Sequence, residues 1–122
     1  MNAEELNRKA IKASKIFLER KGYEVLETSW ECPAGSIDII ARDDSGIVFI
    51  EVNATSMNHG GFPDEADTAA KRTRFERIAL AYMADCDETN MSIRFDIVSM
   101  VVMNESRAML RHHINALSAD PV

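Results

Sequence analysis

The chain has 122 residues, 46% of them apolar and 28% charged, which suits one folded domain able to bury a core without disulfide or metal staples. With 20 acidic and 14 basic residues the formal net charge is −6, which argues against tight sequence-independent binding of a polyanion by the whole surface while leaving room for a local basic face. Cys32 and Cys86 have neither CxxC nor zinc spacing, and the charged stretch 1–15 lacks the apolar run of a signal peptide or membrane span. The expectation is therefore a cytoplasmic protein with reduced thiols and one domain over 1–122.

From Ala3 to Lys21, Leu6, Ala10, Ala13 and Phe17 recur at helical spacing with Ile16 beside them, predicting an amphipathic helix capped by Asn2 and stopped at Gly22. Tyr23 to Trp30 reads as a strand and Glu31 to Gly35 as a turn. Ile37 to Arg42 is a second strand, Asp43-Asp44-Ser45-Gly46 a turn, and Ile47 to Asn53 a third, strongly apolar strand. After a polar stretch from Ala54 to Pro63, Asp64 to Ala84 reads as a second long helix, with a stripe through Ala66, Ala70, Ile78 and Tyr82. Ser92 to Met103 is a long buried strand, followed by a short strand around Met109 and a last helical turn near Ile114 to Leu117. This order implies an antiparallel meander, a crossover through the second helix, and helices on both faces of a mixed sheet of four to five strands: a three-layer α/β/α domain.

Chemistry concentrates in the hairpin from Ser36 to Asn53. A four-residue turn pairs Arg42 with Ile47, Ile40 with Phe49, Asp38 with Glu51 and Ser36 with Asn53. Two carboxylates then face each other about 5 Å apart, where like charges repel by roughly 3 kcal/mol at an effective dielectric near 20. A retained proton, a basic partner or a divalent cation could each relieve that repulsion. Solvated carboxylates on a sheet face, with Arg42 neutralising Asp38, are the ordinary alternative. Mg²⁺ or Mn²⁺ would suit a pair of hard oxygen donors, and no organic cofactor is implied.

The run Gly35-Ser36-Ile37-Asp38-Ile39-Ile40-Ala41-Arg42-Asp43, then Val48-Phe49-Ile50-Glu51-Val52-Asn53, resembles the central motif of the YraN-like uncharacterised protein family, whose members read G-E-I-D-L-I-A-x-D and V-F-V-E-V-K. Phe17 to Tyr23, Gly61-Phe62-Pro63 with Lys71-Arg72, Arg94 to Val98 and His113-Ile114-Asn115-Ala116 match further family segments in order. The resemblance implies a restriction-endonuclease-like fold, similar to Holliday-junction resolvases, with Asp38 and Glu51 as metal ligands, the Val52 carbonyl as a further donor, and DNA as partner. Three positions depart. Asn53 stands where the Glu-x-Lys lysine belongs, Ser36 where the family has Glu, and Ile11 where many relatives carry a helical Glu. An amide cannot supply the lysine's charge, so the implied activity is a weak or lost Mg²⁺-dependent endonuclease. A non-catalytic interaction or regulatory module is the alternative.

Lys71, Arg72, Arg74 and Arg77 form a basic run on the second helix, read either as a solvated face or as a phosphate-contacting patch that includes Ser36; Lys71 is the candidate replacement for the missing lysine. His59, His112 and His113 are expected at the surface rather than as zinc ligands, and Trp30 and Tyr82 as packing anchors. No membrane partner is expected. Oligomeric state is not legible from the sequence.

Overall fold

A computed structural model describes residues 2–57, 62, 69–86 and 91–116. Helix α1 (Ala3–Arg20) begins where the side chain of Asn2 accepts the Glu5 N–H at 2.8 Å, with Glu4 and Glu5 placed favourably in the first turn. It ends as expected. Gly22 takes φ +95°, and the amides of Lys21, Gly22 and Tyr23 return to carbonyls of the last turn. The buried face differs from the expected stripe: Ala10, Ile11, Ser14 and Leu18 are buried, whereas Ala13 and Ile16 are exposed.

Strands β1 (Glu24–Cys32), β2 (Gly35–Asp43) and β3 (Gly46–Ser56) form the antiparallel meander. Helix α2 (Ala69–Met83 as described) lies between β3 and β4 (Ser92–Asn104) in sequence, and β3 and β4 pair in parallel over eleven positions from Gly46↔Ser92 to Ser56↔Val102, as a crossover requires. Strand β5 (Arg107–His113) closes the far edge antiparallel to β4, giving the order β1-β2-β3-β4-β5. Residues 114–116 form a turn rather than a helical end, the Ala116 amide donating to the Phe95 carbonyl; Leu117 lies outside the described residues.

The sheet separates two cores. Ala10, Ile11 and Leu18 of α1 cover Ile39, Ala41, Val48, Ile50, Val52 and Val98 on one face. Phe75, Ile78 and Ala79 of α2 cover Ile37, Ile40, Ile47 and Phe49 on the other, so the α2 stripe runs through Phe75 and Ala79 rather than the exposed Ala70, while Ala66 lies outside the described residues. Phe75 stacks on Phe95 at 5.4 Å between centroids, and Trp30 meets Tyr82 edge-on at 5.2 Å, the packing role expected of both. Burying a side chain such as Phe75 or Ile78 is worth about 1.5–3 kcal/mol, and this is what fixes α2 against β2 and β3. The chain thus has the expected three layers around a five-stranded mixed sheet. No helix among the described residues is long and apolar enough to cross a membrane.

Candidate active site

The β2–β3 hairpin has the expected register at its closed end: Arg42↔Ile47 and Ile40↔Phe49, with Asp43↔Gly46 closing the turn. The expected pairs Asp38↔Glu51 and Ser36↔Asn53 do not form. The ladder stops at Ile39↔Ile50, and the Val52 amide instead donates to Asp38 Oδ2 at 2.7 Å. A carboxylate has taken the place of a backbone carbonyl, so the strands part at the acid.

The other neighbour of Asp38 is irregular too. Ser29 falls between the pairs Thr28↔Ile39 and Trp30↔Ile37, opposite Asp38, with φ +51°. A non-glycine residue there costs energy and breaks the local pleat. Side-chain alternation also slips on β2, because Ile37 and Ile40 share the α2 face while Ile39 points to α1. The β2–β3 ladder therefore ends at Asp38, while the β1–β2 register runs unchanged past it, from Thr28↔Ile39 to Trp30↔Ile37, with Ser29 strained between.

Asp38 and Glu51 line one open cavity of about 370 Å³ on the α2 side, together with Gly35, Ser36, Arg74 and Phe75. Glu51 is strongly engaged: Lys71 Nζ and Asn53 Nδ2 donate to its Oε2 at 3.1 and 3.2 Å, and Arg74 Nη2 lies 3.5 Å from Oε1. The side chains of Lys71 and Glu51 are only 19% and 16% exposed, so this pair is shielded from bulk water. Burial pushes the Asp38 carboxyl above its ordinary value; the Val52 N–H opposes that rise, Glu51 adds to it and Arg74 offsets part of it.

Of the residues picked out by sequence, Ser36, Asp38, Glu51, Asn53, Lys71 and Arg74 thus gather here. Arg72 is half-buried on α2 and does not line the cavity. The cation acting on Asp38 is Arg74 rather than Arg42, which forms an ion pair with Glu24 at 4.0 Å. Ile11 is part of the α1-side core, so α1 brings no acid at that position. His59 lies outside the described residues.

No group of three or more His, Cys, Asp or Glu side chains gathers among the described residues. A divalent ion at this cavity would therefore rest on the carboxylates of Asp38 and Glu51, with backbone oxygen and water completing its shell. That donor set fits Mg²⁺, which keeps several waters and takes one or two carboxylates.

A second polar cluster was not foreseen. Asp96, 0% exposed on β4, accepts from Arg94 Nε at 2.9 Å, Arg94 Nη2 at 3.1 Å and the Asn115 amide at 2.9 Å, and lies 2.7 Å from His112 Nε2. Arg94 reaches on to the Tyr23 hydroxyl at 2.7 Å and to Asp43 at 2.9 Å. His112 is accordingly buried, its side chain 4% exposed, against the expectation of a surface residue; the carboxylate and the rings of Phe17 and Tyr23 enclose it. Burial alone would raise the Asp96 carboxyl, but the bonds from His112, Arg94 and Asn115 outweigh it and hold the group below its ordinary value. An Asp in the middle of the apolar run Ile93 to Val102 was the available signal, since such a position demands partners. The cluster ties β4 and β5 to the start of β1 and the β2–β3 turn.

These features define a three-layer α/β/α protein whose β2–β3 ladder ends at a half-buried acid, with a second acid and a cation beside it. Residues 12–100 match the model of the uncharacterised protein family UPF0102, and the chain belongs to that family. Relatives described as UPF0102 proteins include those of Roseiflexus castenholzii, 40% identical over 99 residues covering 80% of both chains, and Nocardia farcinica, 38% identical over 96 residues covering 79% of this chain and 76% of the other. That of Beutenbergia cavernae is 36% identical over 96 residues, 79% of this chain and 81% of the other. Among solved structures, Pyrococcus furiosus SfsA in complex with Ca²⁺ aligns with a TM-score of 0.38 and 12% identity over 88% of this chain and 60% of that one.

Proposed function

We propose that this protein is a nucleic-acid-binding, metal-dependent phosphodiesterase of the restriction-endonuclease-like class, working slowly because Asn53 stands where the Glu-x-Lys lysine belongs, with Lys71 supplying the cation from α2 instead. The observation that carries this reading is the Lys71 amine 3.1 Å from Glu51 in the region where Asp38 and Glu51 line one cavity. Mg²⁺ or Mn²⁺ would be held by Asp38, Glu51 and the Val52 carbonyl, and when bound supplies Lewis-acid polarisation and a more acidic water. Lys71 and Arg74 offer positive charge to a phosphoryl oxygen, Asn53 fixes the Glu51 carboxylate by its 3.2 Å bond, and Ser36 offers a hydroxyl at the mouth of the cavity.

A second reading, a non-catalytic interaction or regulatory module on the same fold, is favoured by one specific feature: both oxygens of Glu51 are already engaged by protein cations. Calorimetric titration with Mn²⁺, paired with cleavage assays on linear, nicked, flapped and four-way DNA, separates the two. The enzyme reading expects saturable ion binding and slow cleavage, both lost in Asp38→Ala. Intact DNA of every form under Mg²⁺ and Mn²⁺ overturns it and leaves the binding module.

A further inference from the structure

On the opposite face from the acids, α1 and β1 line a groove of about 470 Å³ beside the strained Ser29. Its lining includes Arg8, Lys12 and Lys15, with Glu4 at one end, Ile11 in the lining and Ser29 on the strand side. Arg8, Lys12 and Lys15 are exposed, and none of them forms an ion pair among the described residues. Three uncompensated cations against one acid is a local reversal of sign in a chain of net charge −6. Such a concentration serves no packing purpose and costs mutual repulsion.

We infer that this groove holds the phosphate backbone of a single nucleic-acid strand. Charge complementarity is the first argument. Spacing is the second. At 1.5 Å rise per residue, Arg8, Lys12 and Lys15 step along the helix by about 6 and about 4.5 Å, the scale on which successive phosphates follow one another along a strand. Position is the third. Ser29 lines the groove and stands opposite Asp38 in the β1–β2 register, so a strand lying there crosses the sheet directly behind the position from which Asp38 serves the other face. The inference rests on the nucleic-acid reading above but not on its chemistry.

The test is fluorescence anisotropy of a labelled oligothymidylate against salt, with full-length protein. The double variant Lys12→Glu/Lys15→Glu is compared with Lys9→Glu/Arg20→Glu, which changes net charge equally at exposed α1 positions outside the groove. Removing two phosphate contacts should weaken binding on the order of tenfold and flatten the log–log salt slope by about 1.4, while the control pair leaves the slope unchanged. Equal loss in both variants, no binding by the wild type, or displacement by polyglutamate at matched charge as effective as by unlabelled strand overturns the inference. Cleavage by the wild type with an unaltered slope in the groove variant leaves the phosphodiesterase reading standing and removes this one. Groove-dependent binding without cleavage does the reverse.

Discussion

Lys71 of α2 donates to Glu51 of β3 at 3.1 Å, so the charge that the third strand lacks at Asn53 reaches the acid from a different element. The Lys71→Ala variant should lower cleavage by about 10²–10³-fold, the usual cost of removing one preorganised electrostatic group. Stability should fall by about 1–3 kcal/mol, because a shielded carboxylate loses one partner while Arg74 remains on Glu51. Mn²⁺ should bind more tightly in the variant, since a competing cation has left the carboxylate. Unchanged cleavage together with unchanged ion affinity would remove Lys71 from the site.

Restoring the family pattern should strengthen the site. Asn53→Lys with Ser36→Glu places a second amine near Glu51 and a third acid at the mouth of the cavity. Cleavage of DNA under Mg²⁺ should rise at least about tenfold. A double variant that binds Mn²⁺ and stays inert would show that the missing lysine is not what limits the protein.

Asp38 carries a cost in the fold. Its pKa is raised above the unfolded value, chiefly by burial, so the native state holds its proton more tightly than the unfolded chain does. The penalty is absent at pH values below the ordinary carboxylate range and grows as pH rises through the native pKa. Asp38→Asn keeps an acceptor for the Val52 amide and removes the charge. It should therefore be more stable than the wild type at neutral pH, with the gain vanishing toward pH 4, while losing all cleavage. Urea denaturation at several pH values checks this; a variant less stable than wild type at pH 7 contradicts it.

Asp96 has the opposite sign. Its pKa is lowered, so its contribution is complete above the unfolded value and is lost as pH falls through the native pKa. Breaking the ion pairs of this fully buried carboxylate by Asp96→Asn should cost about 3 kcal/mol, because the largely shielded Arg94 and His112 keep their positions and lose the negative charge. A loss below about 1 kcal/mol in urea would mean that the cluster is dispensable to the fold.

Much of this arrangement could be read directly from the residues. The Asp43-Asp44-Ser45-Gly46 turn sets the hairpin register, and the order of helices and strands gives the parallel β3–β4 pair. Asp38 and Glu51 share a face because each stands an even number of positions from Ile40 and Phe49, which oppose each other. What escaped was set by side chains bonding to backbone. Simple alternation places Asp38 directly across from Glu51, but the carboxylate takes the Val52 amide and ends the ladder one pair earlier. Nor does helical spacing locate the buried stripe to better than one residue, which is why Ile11 and Ser14 rather than Ala13 and Ile16 face the sheet. His112 looked like a surface residue because its partner, Asp96, is 16 residues away in the sequence.

The two acids belong to one hairpin, contiguous in the chain, while Lys71 reaches Glu51 across 20 residues of sequence and only after α2 has crossed to its face. Hairpins close in about 1–10 μs, whereas contacts made by a crossover wait on the longer loop. The anionic pair is therefore expected to assemble before its counter-charge arrives, and added salt or Mg²⁺ should accelerate refolding while leaving the unfolding rate of the finished protein nearly untouched.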